Sequence, residues 1–154
     1  MKAFLWLVFL LYMGILTKLI IFKKPLGYVK NFLLHRYSWS QAKANFHKAN
    51  LTPFATIKLY LNSHLRAEYA VSNLLGNFIG FIPLGILLPL LFNRLNFIST
   101  VICVFLFSLG FETFQLFSML GAFDVDDLLL NTLGGMFGYI LLRLLIKRPT
   151  LQAV

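Results

Sequence analysis

Acidic side chains are scarce in this 154-residue sequence: five Asp and Glu stand against 14 Lys and Arg. Charged residues of either sign make up only 12%, where soluble domains carry about 25%. So few charges cannot furnish a water-facing shell, and with 59% hydrophobic residues the composition is that of a membrane protein. A single cysteine, Cys103, excludes an intrachain disulfide and any cysteine-based metal site; lying in an apolar run, it reads as packing. The three histidines, His35, His47 and His64, lack metal-ligand spacing and read as headgroup-facing or solvated groups. There is no Ser/His/Asp arrangement, no phosphate-cradling glycine loop, no CxxC and no internal repeat. The formal net charge is +9. No nucleic-acid motif accompanies it, and the basic residues flank long apolar runs. Anionic lipid headgroups, rather than nucleic acid, are therefore the expected partner.

What is present is four apolar runs, at about 3–22, 73–92, 97–120 and 127–146. Each is long enough to cross a hydrocarbon core of ~30 Å at ~1.5 Å per residue. The first is interrupted only by Lys18, which can snorkel to the headgroups. It exceeds a signal-peptide h-region, no small-x-small site follows it, and Lys23-Lys24 form a stop-transfer flank. Asn93-Arg-Leu-Asn96 and Gly121-Ala-Phe123 are hairpin-length connections, and Lys147 and Arg148 close the last helix. The expected fold is an all-α polytopic membrane helix bundle, one domain over 1–154 with about four transmembrane helices.

Residues 23–72 are the polar part, with eight Lys and Arg. Ser40 to Ala49, with Trp39, Ala42 and Phe46 on one side, suits a short helix in the membrane interface. Thr52 followed by Pro53 predicts an N-cap and first helical position, with Phe54, Ile57 and Leu61 on one face. Four spans put both termini on one side. Span four is acidic at its start and basic at its end, so the termini are expected in the cytoplasm, with the loop and the aspartates outside.

The scarce acids are concentrated. Asp124, Asp126 and Asp127 stand at the start of span four, and Glu112 and Gln115 lie near the end of span three. Asn73 and Asn77 begin span two, so all fall in one leaflet. Spacing gives each helix one polar stripe: Asn73, Asn77, Phe81 and Gly85; Ser108, Glu112 and Gln115; Asp124, Asp127, Asn131, Gly134 and Gly138. A charge at the bilayer centre costs roughly 2.5–3.5 kcal/mol, so the stripes should face one another or water. Asp127 and Asn131 are then expected to partner Glu112, Gln115 and Asn77. Asp126, turned away by the periodicity, is the acid least expected to matter. Gly76-x3-Gly80 and Gly134-x3-Gly138 match the spacing of closely packed membrane helices, and Pro83 is expected to bend span two.

An oxygen-rich set of this kind suits a hard divalent cation, Mg²⁺ or Ca²⁺, with Asp124, Asp127 and Glu112 as ligands. A second reading is proton relay or general acid–base work by Glu112 and Asp127; a hydrogen-bond network that only holds helices together ranks below both, because carboxylates are costly as glue inside a membrane. The candidate ligand-binding residues are Asn73, Asn77, Glu112, Gln115, Asp124, Asp127 and Asn131.

Four stretches resemble the VanZ-like family of bacterial membrane proteins: Asn50-Leu-Thr-Pro-Phe-Ala-Thr-Ile57, Asn73-Leu-Leu-Gly-Asn-Phe-Ile-Gly-Phe-Ile-Pro-Leu-Gly85, Glu112-Thr-Phe-Gln115 and Phe123-Asp-Val-Asp-Asp-Leu-Leu-Leu-Asn-Thr-Leu-Gly-Gly135. The family's motif residues fall on Asn50, Pro53, Phe54, Asn73, Asn77, Pro83, Gly85, Glu112, Gln115, Asp124, Asp127, Asn131 and Gly134. Where many relatives have an arginine before the aspartates, this chain has Gly121-Ala122. The resemblance implies a multi-pass protein of the bacterial cytoplasmic membrane, in a family named for a member that lowers susceptibility to teicoplanin. From it and the polar pocket come three expectations. The first is an envelope protein binding a lipid-linked or anionic ligand, such as a lipid-linked cell-wall precursor or the glycopeptide. The second is a membrane enzyme acting on phospholipid or polyprenyl phosphate headgroups, and the third a small transporter or scaffold.

Overall fold

A computed structural model of the protein describes residues 2–21, 26–35, 38–62 and 67–146. The chain is all-α: α1 (Lys2–Ile20), α2 (Leu26–His35), α3 (Trp39–Asn45) running into a 3₁₀ turn (Phe46–Lys48), α4 (Ala55–Asn62), α5 (Ala67–Leu91), α6 (Phe97–Ser118) and α7 (Val125–Leu145). Lys2–Ile20, Ser72–Leu91, Phe97–Ser118 and Val125–Leu145 are long and apolar enough to cross a membrane, matching the four expected runs. The Lys23-Lys24 flank, His64 and the Lys147-Arg148 pair lie outside the described residues.

The bundle is built on α5 and α7, which run parallel and nearly touch through backbone. A Cβ built on Gly134 would lie 2.0 Å from the Phe78 carbonyl oxygen, one on Gly138 2.1 Å from that of Ile82, and one on Gly85 1.9 Å from that of Gly135. Only glycine fits such contacts. On the adjoining face of α7, a Cβ at Gly135 would meet Val104 of α6 at 2.5 Å. The Gly76-x3-Gly80 pair, by contrast, makes no such approach: nothing lies within 4 Å of a Cβ at Gly76, and Leu16 stands 3.6 Å from one at Gly80. These two glycines face α1, which packs through side chains.

Fully buried Phe81, Leu84 and Val104 form the centre, joined by Leu16 and Ile20 of α1. α1 otherwise turns Phe4, Leu7, Leu10, Leu11, Ile15 and Leu19 outward, an apolar exterior suited to lipid rather than water. It runs antiparallel to α5: Trp6 meets Phe92 edge-on at 5.7 Å, and the Tyr12 hydroxyl donates to the Gly80 carbonyl at 2.7 Å. α5 continues as one helix through Pro83 and Pro89.

Caps set the boundaries of α6. The Asn96 side chain accepts the Ser99 N–H at 2.9 Å, a helix N-cap. The helix ends at Met119, whose φ of 57° is the left-handed conformation that usually calls for glycine. Asn45 fastens this turn, its Nδ2 donating to the carbonyls of Leu116 and Gly121 at 3.0 and 2.9 Å. The same α3 lays Trp39 in a stack on Phe117 at 6.3 Å, and Phe46 edge-on to it at 5.5 Å, so the expected 40–49 helix is docked on the end of α6. α4 corrects the expected start. It begins at Ala55 rather than Pro53, because Phe54 has φ 65°, which no right-handed helix contains. Thr52 and Pro53 lie in the turn before it.

Candidate functional site

The motif at 50–57 and the start of the motif at 123–135 form one structure. Asn50 and Asp124 pair as an isolated parallel bridge, Asn50 N–H donating to the Phe123 carbonyl at 2.8 Å and Val125 N–H to that of Asn50 at 3.0 Å. Asp124 is the N-cap of α7, its Oδ1 accepting the Asp126 N–H at 2.8 Å. The same Oδ1 also accepts Asn50 Nδ2 at 2.9 Å, and Oδ2 accepts the Thr56 hydroxyl at 2.6 Å. Glu112, 1% exposed, accepts the backbone N–H of Asp124 at 3.0 Å and so ties α6 to the start of α7.

Asp126 overturns its expectation. The periodicity does turn it away from the stripe on α7, but it is 0% exposed and caps another helix. Its Oδ1 accepts the Phe54 N–H, and its Oδ2 those of Thr56 and Ile57 at 2.8 and 3.1 Å. The latter two are the second and third helical donors of α4, which an N-cap side chain ordinarily satisfies. Phe54 has no acceptor to offer them, and an aspartate some 70 residues further along supplies it. Thr52 therefore does not cap α4, contrary to the local rule.

The other stripes meet in part. Asn131, 1% exposed, donates through Nδ2 to Ser108 Oγ at 2.8 Å, joining α7 to α6. Gln115 goes elsewhere than expected: its Nε2 donates to the Ile20 carbonyl at 2.8 Å, satisfying a carbonyl at the end of α1. Its packing explains Gly121, where a Cβ would meet Gln115 Cδ at 3.0 Å. Among the described residues, no three of His, Cys, Asp and Glu are grouped to hold a metal ion, and the oxygens of Asp124 are engaged in capping.

Asn73 and Asn77 line a groove of about 380 Å³ between α1 and α5. Leu16, Leu19 and Ile20 form its apolar wall, and Ser72, Asn73, Gly76, Asn77 and Gly80 the other. Asn77 Nδ2 is buried without an acceptor among the described residues, and Asn131 Oδ1 without a donor. The pairing of Phe78 with Gly134 and of Ile82 with Gly138 brings Asn77 and Asn131 to nearly the same depth. The Asn77–Asn131 level, with Asp127 Oδ1 also lacking a hydrogen-bond donor among the described residues, is thus a place where the polar framework keeps hydrogen-bonding capacity in reserve.

Sequence reasoning undervalued Asn50, Thr56 and Asp126 as the structural lock. The available signal was an aspartate directly before an apolar helix with a second acid three positions on, a helix-start signature. The groove had none, since it depends on where α1 lies.

The VanZ/LLP1 family model matches residues 9–146. Protein VanZ of Enterococcus faecium is 31% identical over 128 residues, covering 83% of this chain and 66% of its own length; this chain thus spans just under two thirds of that relative. No solved structure matches the chain significantly. With the family model running from within α1 to the end of α7, the chain belongs to the VanZ/LLP1 family.

Proposed function

We propose that this protein is a multi-pass protein of the bacterial cytoplasmic membrane that holds a lipid-linked or anionic envelope component in the α1–α5 groove, and by doing so lowers susceptibility to teicoplanin. The groove carries this reading. One wall suits an acyl or prenyl chain, and the other presents Ser72, Asn73 and Asn77 to a polar head. Asn77 adds a buried amide donor that lacks an acceptor among the described residues, which a phosphate or carbonyl oxygen would supply. In this reading Asn73 and Asn77 touch the ligand. Glu112, Gln115, Asp124, Asp127 and Asn131 make the rigid frame against which α5 is set.

Gly76 separates this function from folding. A Cβ there meets nothing within 4 Å, so Gly76→Leu should express and melt as the wild type while filling the groove. Its teicoplanin susceptibility should equal that of cells lacking the gene, with Gly76→Ala retaining protection and vancomycin values unaffected throughout. A folded Gly76→Leu protein that still protects would remove the groove from the account. Equal teicoplanin values with and without the gene would remove the resistance.

The reading also requires the groove to open in the outer leaflet, as the charge distribution of span four predicts. A cysteine at exposed Ala122, with Cys103 changed to serine, should react with an impermeant maleimide added to intact cells. Labelling only after permeabilisation would place the aspartate end in the cytoplasm and exclude shielding at the outer surface.

A further inference from the structure

The end of the bundle opposite the aspartates holds a fixed cation with no carboxylate paired to it among the described residues. The five acids, Glu68, Glu112, Asp124, Asp126 and Asp127, fall in the first turn of α5, the second half of α6 and the start of α7. Arg143 is in the last turn of α7, about 24 Å along the axis from Asp127 at ~1.5 Å of rise per residue.

An arginine needing only hydration would extend to the interface. Arg143 is folded back instead. Its Nε and Nη2 donate to the Tyr139 hydroxyl at 2.8 and 2.6 Å, and its Cζ lies 4.9 Å from the Tyr139 ring centroid. Tyr139 is buried, with Phe97 of α6 edge-on to it at 5.5 Å, so the guanidinium is aimed by a ring that is itself packed. A guanidinium has five N–H donors. Those left over, on Nη1 and the outer side of Nη2, make no hydrogen bond among the described residues. They form the flat edge that grips a phosphate through two parallel bonds.

That edge belongs to a residue lining a cavity of about 190 Å³ with Pro89, Leu90, Asn93, Leu142 and Ile146, room for roughly six waters. The cavity lies at the C-terminal ends of α5 and α7, which is headgroup depth for helices that span. Asn93 is exposed beside it, while Leu90 and Ile146 continue its wall as apolar surface.

We propose that this cavity binds the phosphodiester headgroup of an anionic membrane lipid, in the leaflet opposite the groove. The free edge of Arg143 takes the non-bridging phosphate oxygens and the Asn93 amide a further oxygen of the headgroup. The acyl chains lie along Leu90 and Ile146.

Purified full-length protein in mild detergent, titrated with phosphatidylglycerol and followed by native mass spectrometry, tests this. One tightly held lipid is expected. Arg143→Gln should weaken it by about tenfold or more, a loss of ~1.4 kcal/mol. Arg143→Lys, a point charge without the fork, should weaken it measurably while keeping the fold, which covers the case of an unstable glutamine variant. Arg94→Gln, an exposed cation at the same end, should change it by less than about twofold. Unaltered binding in both Arg143 variants would overturn the site, as would equal losses at Arg94 and Arg143, which would mark diffuse surface charge. Displacement of the lipid by millimolar inorganic phosphate would overturn the lipid assignment in favour of free phosphate. Retention of this lipid in Gly76→Leu is expected, and its loss there would assign it to the groove instead.

Discussion

Gly134→Leu should yield no monodisperse protein, and Gly134→Ala a protein whose melting temperature is sharply lowered. The first added carbon at this position already falls 2.0 Å from the Phe78 carbonyl oxygen, inside any real non-bonded contact. The obstacle is helix backbone, so no rotamer change relieves it, and α5 and α7 must separate along their whole shared face. That face includes Gly85 and Gly138, each equally close to a carbonyl, so their contacts open with it. Overpacking of an adaptable core costs about 1–3 kcal/mol. Here the alanine variant should sit at or above the top of that range, a large part of a total stability of ~5–15 kcal/mol. Fluorescence-detected size-exclusion chromatography and a thermal melt read the outcome. Gly110→Leu is the control, since nothing lies within 4 Å of a Cβ there. A wild-type melt for Gly134→Leu would mean that the two helices do not approach through this glycine.

Gly134 also marks the limit of what spacing reveals. Gly76-x3-Gly80 and Gly134-x3-Gly138 are the same pattern, yet only the second seats a neighbouring backbone, while Gly76 borders open groove. A glycine repeat records that space exists on a helix face and is silent on what fills it. The four spans were legible because length and apolarity are properties of one segment at a time. The Asn131–Ser108 contact follows from stripes that must face away from lipid, although Glu112, Gln115 and Asn77 were the partners expected for Asn131. Gln115 escaped the same logic because its partner is a main-chain carbonyl at the end of α1, and a helix's last carbonyls leave no trace in the side-chain pattern. The groove was illegible for a related reason: α1 closes it with ordinary leucines and isoleucines, and no residue type announces where a helix of uniform apolarity will lean.

Asp126→Ala should release the segment around α4 while leaving the four long helices assembled. Its carboxylate is wholly buried and accepts three backbone N–H groups of the 54–57 turn. Hydrogen bonds to a charged group contribute about 1.5–3 kcal/mol each, and even with heavy non-additivity their joint loss exceeds ~3 kcal/mol. α4 has eight residues, too short to persist without an anchor, and Phe54 would be left in a left-handed conformation that costs about 1–2 kcal/mol. Limited trypsin digestion should therefore cut Asp126→Ala at exposed Lys48 and Lys58 under conditions in which the wild type is intact. Asp126→Asn should be intermediate, because its amide keeps one acceptor oxygen but sets an NH₂ against donors. The decisive comparison is Thr52→Ala. If the cap were the local Thr52-Pro53 signal, Thr52→Ala would open the segment and Asp126→Ala would not; the tertiary cap predicts the reverse order. Release of α4 also strips Asp124 of its bonds to Asn50 and Thr56, loosening the start of α7 and with it the frame behind Asn77. Lost teicoplanin protection in Asp126→Ala should then always accompany rapid cleavage, whereas loss in Gly76→Leu should occur with the loop still resistant, which is how a structural acid is told from a ligand-bearing wall.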